Sequence, residues 1–151
     1  MILGIDVSTY LEELSHGAKY YDGDKEIDPL DTFRANGVDF MRIRLWNHPF
    51  GEHGEPYLAG SCDMDNYVKL AALAKGKGYR LLLDFHYSDF WADPSKQMVP
   101  KAWQGMTVAE RADAVYAYTK ECLIRLKDAG ADIGMVQVGN ETTAKIAGIS
   151  G

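Results

Sequence analysis

Four stretches of the chain alternate between apolar residues and residues that are charged, polar or small. They fall in "ILGIDVS", "ANGVDFMRIRLW", "GKGYRLLLDFHY" and "DAGADIGMVQVGNE". Side chains alternate faces along a strand. In the second stretch Met41, Ile43 and Leu45 share one face, and Arg42, Arg44 and Trp46 share the other. In the third, Leu81, Leu83 and Phe85 oppose Leu82, Asp84 and His86. In the first, Leu3, Ile5 and Val7 oppose Gly4, Asp6 and Ser8, and in the fourth Val136 and Val138 oppose Gln137, Gly139 and Glu141. Each stretch predicts a strand with one apolar face and one face that carries polar groups.

Between the strands the spacing becomes helical. Asp28–Asn36 is a short helix with Pro29 in its first turn. Met64–Lys75 places Tyr67, Leu70, Ala71 and Ala74 on one side. Thr107–Ala129 does the same with Val115, Tyr118, Cys122 and Leu126, and Thr107 with Glu110 makes a capping box. Gly37, Gly78 and Gly130 suit the left-handed residue that stops each helix. The order β-α-β-α-β-α-β forces parallel neighbours and right-handed crossovers.

Two α/β architectures use that order, the doubly wound sheet and the (β/α)₈ TIM barrel. Doubly wound sheets are covered on both faces, so their central strands read as apolar throughout. A barrel whose interior turns polar towards its C-terminal rim explains the parity better. The glycine-rich phosphate loop of a nucleotide fold is missing after strand one. A full barrel needs about 250 residues. Residues 1–151 are therefore expected to be the N-terminal half of a single (β/α)₈ catalytic domain, with the C-terminal half absent. Strands one and four would then be open edges, a route to self-association. A half-barrel that pairs with itself as a carbohydrate-binding or structural homodimer is the alternative from another class.

Composition narrows the partners. Hydrophobic residues make up 46% and charged residues 25%, with net charge −6 and no basic run. Phosphate neutralisation needs clustered lysine and arginine, so neither nucleic acid nor an anionic membrane is an expected partner. No run of apolar residues is long enough to span a bilayer. Met1 to Gly4 lacks the regions of a signal peptide and leads straight into a strand, so a leader is expected to have been removed. Cys62 and Cys122 form no disulfide framework, and Cys122 reads as a small buried apolar residue.

Barrel chemistry sits at the C-terminal ends of the strands. There the chain places "WNHPFGEHGEPYLAG" (46–60), "HYSDFWADPSKQMVPKAW" (86–103) and "NET" (140–142), while an opposite turn such as "GKG" (76–78) is plain. The two long loops hold all three tryptophans and three of the four histidines. Indole faces stack on sugar rings, although long loops also need aromatic residues to pack themselves. Glu141 is a candidate catalytic carboxyl, or a rim ion pair with Arg44 or Lys145. Arg44 either keeps a nearby carboxylate ionised or forms an interior pair, with Asp84 the candidate partner. His86 is positioned to bond a carboxylate or a sugar hydroxyl, or to be a satisfied structural histidine. Asp6, Asp84 and Asp89 are further acids, of which Asp84 lies deeper and reads as structural. His48 and His53 lack a matching second pair, and "DGDKEID" reads as a turn. No metal and no cofactor are expected.

"GIDVS", "GVDFMRIRLWNHP", "LLLDFHYSDFWADPSKQ", "PKAW" and "VQVGNE" together resemble glycoside hydrolase family 53, the endo-β-1,4-galactanases. The resemblance runs over nearly the whole chain. It implies a (β/α)₈ barrel and retaining, endo-acting hydrolysis of β-1,4-linked galactose in pectic galactan and type I arabinogalactan, by an extracellular enzyme. Mannan or glucan would be the substrate of a related clan hydrolase. By resemblance Glu141 is the acid/base, Asn140 contacts the sugar 2-hydroxyl, and Arg44 and His86 support the nucleophile and the sugar. Asp89 and Trp91 lie in the substrate-binding loop. The family's nucleophile is a second glutamate at the end of strand seven, and no residue here matches it. The isolated chain is therefore expected to be inactive. Strict alternation would turn Asn140 away from Glu141, so a bend at Gly139 is expected to bring both to the rim.

Overall fold

The computed structural model describes residues 1–150. The chain runs β1 (Gly4–Asp6), α1 (Tyr10–Ser15), a hairpin of β2 (Tyr20–Asp22) and β3 (Lys25–Ile27), α2 (Pro29–Ala35), β4 (Phe40–Leu45), α3 (Met64–Gly76) and β5 (Arg80–Phe85). A 3₁₀ turn (Lys101–Trp103), α4 (Val108–Asp128), β6 (Ile133–Val138) and a short hairpin of β7 (Lys145–Ile146) and β8 (Ile149–Ser150) complete it. Four strands form one parallel sheet in the order β1-β4-β5-β6. With its helices this sheet is half of a (β/α)₈ barrel.

The helices begin where their capping chemistry allows. The Asp28 side chain accepts from the Leu30 N–H, with Pro29 at the first helical position. Asp63 accepts from the Asn66 N–H, and Thr107 with Glu110 forms the complete capping box. Gly37, Gly78 and Gly130 follow α2, α3 and α4 at φ +85°, +74° and +78°. Helix α1 and the two hairpins lack an alternating or heptad-like signal, and they were not expected.

The sheet's two faces differ as the alternation requires. Met41, Ile43, Leu45, Leu81, Leu83 and Phe85 are at most 1% exposed and pack beneath the helices. Tyr67, Leu70, Ala71 and Ala74 of α3 and Cys122 and Leu126 of α4 meet them there. Tyr67 Oη donates to the Ile43 carbonyl at 2.6 Å, which satisfies a phenol that burial would otherwise strand. Val136 and Val138 pair in register with Leu83 and Phe85 and so share the helix-facing side. They are nevertheless 39% and 60% exposed. Gly134 is the extra residue of a register shift between β5 and β6, where a Cβ would run into the Phe40 ring. The opposite face carries Asp6, Arg42, Leu82 and Met135 around a concave opening.

Candidate active site

The polar face is organised by Arg42. Its guanidinium pairs with Asp6 of β1 through Nη1. Nη2 donates to Asp84 Oδ2 of β5 at 2.5 Å and to Asn140 Oδ1, just beyond β6, at 3.0 Å. One side chain thus ties together all four parallel strands. Of the two roles expected for Arg44, the interior ion pair with Asp84 is not the one formed. Register does set Arg44 opposite Asp84. The Arg44 guanidinium instead runs over the Trp91 ring at 4.1 Å and donates to the Ala59 carbonyl at 3.2 Å. Two residues deeper on the same face, Arg42 reaches Asp84.

His86 sits above Asp84, and both are wholly buried. Its Nδ1 accepts from the Trp46 indole N–H and from the Ala92 N–H, each at 3.1 Å. Two donors on Nδ1 assign the ring proton to Nε2, which donates to Asp84 Oδ2 at 3.0 Å. Neither ring nitrogen is left for a sugar hydroxyl. Asp84 Oδ1 is buried without a partner among the described residues. Burial works against ionisation of Asp6. Hydrogen bonds from the Ser8 backbone and hydroxyl, the field of Arg44 and the Arg42 contact outweigh it and hold the Asp6 carboxyl below its usual range.

The loops beyond β4 and β5 are braced to each other. Asp89, nearly buried, accepts the His48 N–H on Oδ1 at 3.0 Å and the Lys101 N–H on Oδ2 at 2.7 Å. Trp46 is fully buried, and Trp103 packs against Tyr87 and Tyr118. Trp91 alone of the three tryptophans is exposed, at 37%. It meets Trp46 edge-on at 5.7 Å, with Arg44 across its ring.

Beyond β6 the chain bends at Gly139, φ +87°, and Glu141 is also left-handed at φ +51°. Asn140 is buried: its Nδ2 donates to the Ala92 carbonyl at 2.7 Å, and its Oδ1 also accepts from Gln137 Nε2 at 3.1 Å. Glu141 is exposed. Among the described residues its carboxylate makes no ion pair, with Arg44, Lys145 or any other cation. The structure therefore gathers Asn140, Arg44, His86, Trp91 and Glu141 at the C-terminal end of the sheet, while Asp89 joins the loops below them. Arg42 and Gln137, placed on the polar face by parity but not named as site residues, belong to the same network, and so does Gln97. Arg42 had a detectable signal, because it shares the parity of Arg44.

A parallel half-barrel with its unusual side chains at the strands' C-terminal ends is the architecture of a barrel enzyme. The sequence profile of Glycosyl hydrolase family 53 matches residues 2–151, and the chain belongs to that family. It is 43% identical over 148 residues to the endo-beta-1,4-galactanase of Bacillus subtilis, covering 97% of this chain and 34% of that one. It is 41% identical over 145 residues to the arabinogalactan endo-beta-1,4-galactanase of Cellvibrio japonicus, covering 95% and 37%. Among solved structures, the Ignisphaera aggregans GH53 catalytic domain superposes with a TM-score of 0.89 at 44% identity, over 96% of this chain and 41% of that one. A chain from a structure of two fungal beta-1,4-galactanases gives 0.86 at 28% identity, over 99% and 43%. The chain spans about a third of the length of these curated relatives.

Proposed function

We propose that residues 1–151 are the N-terminal half of the single catalytic barrel of a retaining endo-β-1,4-galactanase, in which Glu141 is the general acid/base. The observation that carries this reading is the state of Glu141. It is an exposed carboxylate at a strand's C-terminal end, with no ion-pair partner among the described residues and a hydrogen-bonded neighbour in Asn140. Retaining hydrolysis needs two carboxyl groups about 5–5.5 Å apart. One protonates the leaving oxygen and later activates water, and the other attacks the anomeric carbon. Asp6, Asp84 and Asp89 are each engaged by other groups, so none is free to attack. The nucleophile in this reading is a glutamate beyond these residues.

The remaining side chains divide the work of binding. Asn140 Nδ2 carries two N–H groups and commits one to Ala92, leaving the other for a sugar 2-hydroxyl. The Trp91 face, backed by Arg44, is a platform for a galactose ring. Arg44, without an ion-pair partner among the described residues, is the cation nearest to hand for the incoming nucleophile. The substrate is galactan or type I arabinogalactan. A polymer of that size is attacked outside the cell, so the parent enzyme is extracellular. Among the described residues no helix is long and apolar enough to cross a membrane.

The test compares substrates in the full-length enzyme. Glu141→Gln should lower kcat on galactan by about 10²–10⁴-fold. On a 2,4-dinitrophenyl β-galactobioside, whose leaving group needs no proton, the glycosylation step should be nearly unchanged. Equal loss of that step on both substrates removes the acid role. The 151-residue polypeptide alone should show no turnover above its own Glu141→Gln variant.

A further inference from the structure

The backbone that carries Glu141 is unusual and firmly held. Glutamate at φ +51° is uncommon, and such a conformation persists only where its surroundings over-determine it. The Asn140 side chain supplies part of the restraint through Ala92, Arg42 and Gln137. The rest comes from the loop after β5. Gln97 Nε2 donates to the Asn140 backbone carbonyl at 2.8 Å and to the Asp93 carbonyl at 3.1 Å. Its two N–H groups are thereby used. Gln97 Oε1 is buried with no partner among the described residues. Turning the amide over would set that oxygen against two carbonyl oxygens, so the donors define its orientation. An amide whose acceptor goes unsatisfied while both donors are used is there for its donors.

The Asn140 carbonyl and the Glu141 N–H belong to one planar peptide unit. Holding the carbonyl therefore fixes the plane from which the Glu141 side chain departs. The anchor itself is stiff. Asp93 and Lys96 exchange both backbone hydrogen bonds at 3.0 Å, and the Ser95 N–H and hydroxyl close on Asp93 Oδ1. Gln97 is 8% exposed and lies beneath this turn, so it acts through Glu141 and not on the sugar.

We propose that Gln97 is a positioning residue for Glu141: it clamps the Asn140–Glu141 peptide and so aims the acid at the leaving oxygen. This rests on Glu141 being the acid. A misplacement of about 1 Å can cost on the order of 10²-fold in rate. In the full-length enzyme Gln97→Met removes both donors at nearly constant length. It should lower kcat on galactan about tenfold or more, with KM within about twofold. Glycosylation by the 2,4-dinitrophenyl β-galactobioside should fall less than about threefold. Gln97→Glu is isosteric and covers the case in which the methionine variant does not fold. Its carboxylate repels the Asn140 carbonyl when ionised and donates to it when protonated, so its deficit on galactan should shrink as pH falls. Equal losses on both substrates, no loss, or a glutamate variant whose deficit is the same at every pH overturns the proposal. Glu141→Gln is assayed beside these variants. If it discriminates between the substrates and Gln97→Met does not, only the Gln97 role fails. If it does not discriminate, both fail.

Discussion

At the end of β5, Asp84 and His86 are wholly buried, and both ring nitrogens and one carboxylate oxygen are held by Arg42, Trp46, Ala92 and each other. At the end of β6, Glu141 is exposed and, among the described residues, its carboxylate makes no ion pair. The two ends share a rim and divide its tasks. Buried polar groups that hold one another make a rigid frame, and removing one leaves the others stranded in a low dielectric. A carboxylate left free adds little to folding and remains available to a substrate. The residues most costly to stability and the residue most costly to activity should therefore be different ones.

The largest effect expected is on activity without stability. Glu141→Gln, already expected to cost galactan turnover by orders of magnitude, should move the urea midpoint by less than about 0.5 kcal/mol equivalent. A large destabilisation would mean that Glu141 belongs to the frame after all. Next comes Asp84→Ala, which leaves His86 Nε2 unpaired and Arg42 with fewer acceptors. Breaking a buried pair costs about 3–5 kcal/mol, read by urea unfolding of the same enzyme. A loss under about 1 kcal/mol would show that the β5 end is not held as described. Trp91→Ala should be smaller and should act on binding. It is partly exposed and packs on Trp46, so KM for galactan should rise several-fold with a loss of about 1 kcal/mol or less in stability.

The smallest effect concerns Asp6 at the frame's outer edge. A carboxyl held below its unfolded value contributes stability above that value, and the contribution is lost as pH falls through the folded one. For Asp6 the window opens near its ordinary 3.8 and extends downward. Asp6→Asn should therefore flatten the acid limb of the stability curve below about pH 4 and change little at pH 7. Partial exposure screens the Asp6–Arg42 pair, which keeps the effect modest.

Much of this division could be read from the residues beforehand, for a definite reason. Alternation in "FMRIRLW" and "LLLDFHY" assigns faces, because a strand's period leaves no freedom in the matter. The need to bring Asn140 and Glu141 to one rim pointed to Gly139. Which partner each arginine takes could not be read in the same way. Arg42 and Arg44 have identical parity, and only the cross-strand distances decide that Arg42 takes Asp84 while Arg44 rises to Trp91. Three tryptophans in two loops looked like one ligand-facing set. Packing against Tyr87, Tyr118 and His86 takes Trp46 and Trp103 into the interior. Gln97 was invisible because its partner is a backbone carbonyl, which leaves no trace in residue types. Helix α1 is only six residues long, too short for its periodicity to stand out.

Gly139 has a consequence at the level of the gene. Apart from stop codons, every single-base change to a glycine codon that alters the residue adds a Cβ. At position 139 that atom would meet the Thr142 Cγ2 and come within 3.0 Å of Ile146 Cδ1, on a backbone at φ +87° that other residues rarely adopt. In a saturation library of the full-length enzyme selected for growth on galactan, position 139 should accept almost nothing but glycine. On the roles proposed for Glu141 and Gln97, change in the aim of the acid is open instead through the loop that carries Gln97.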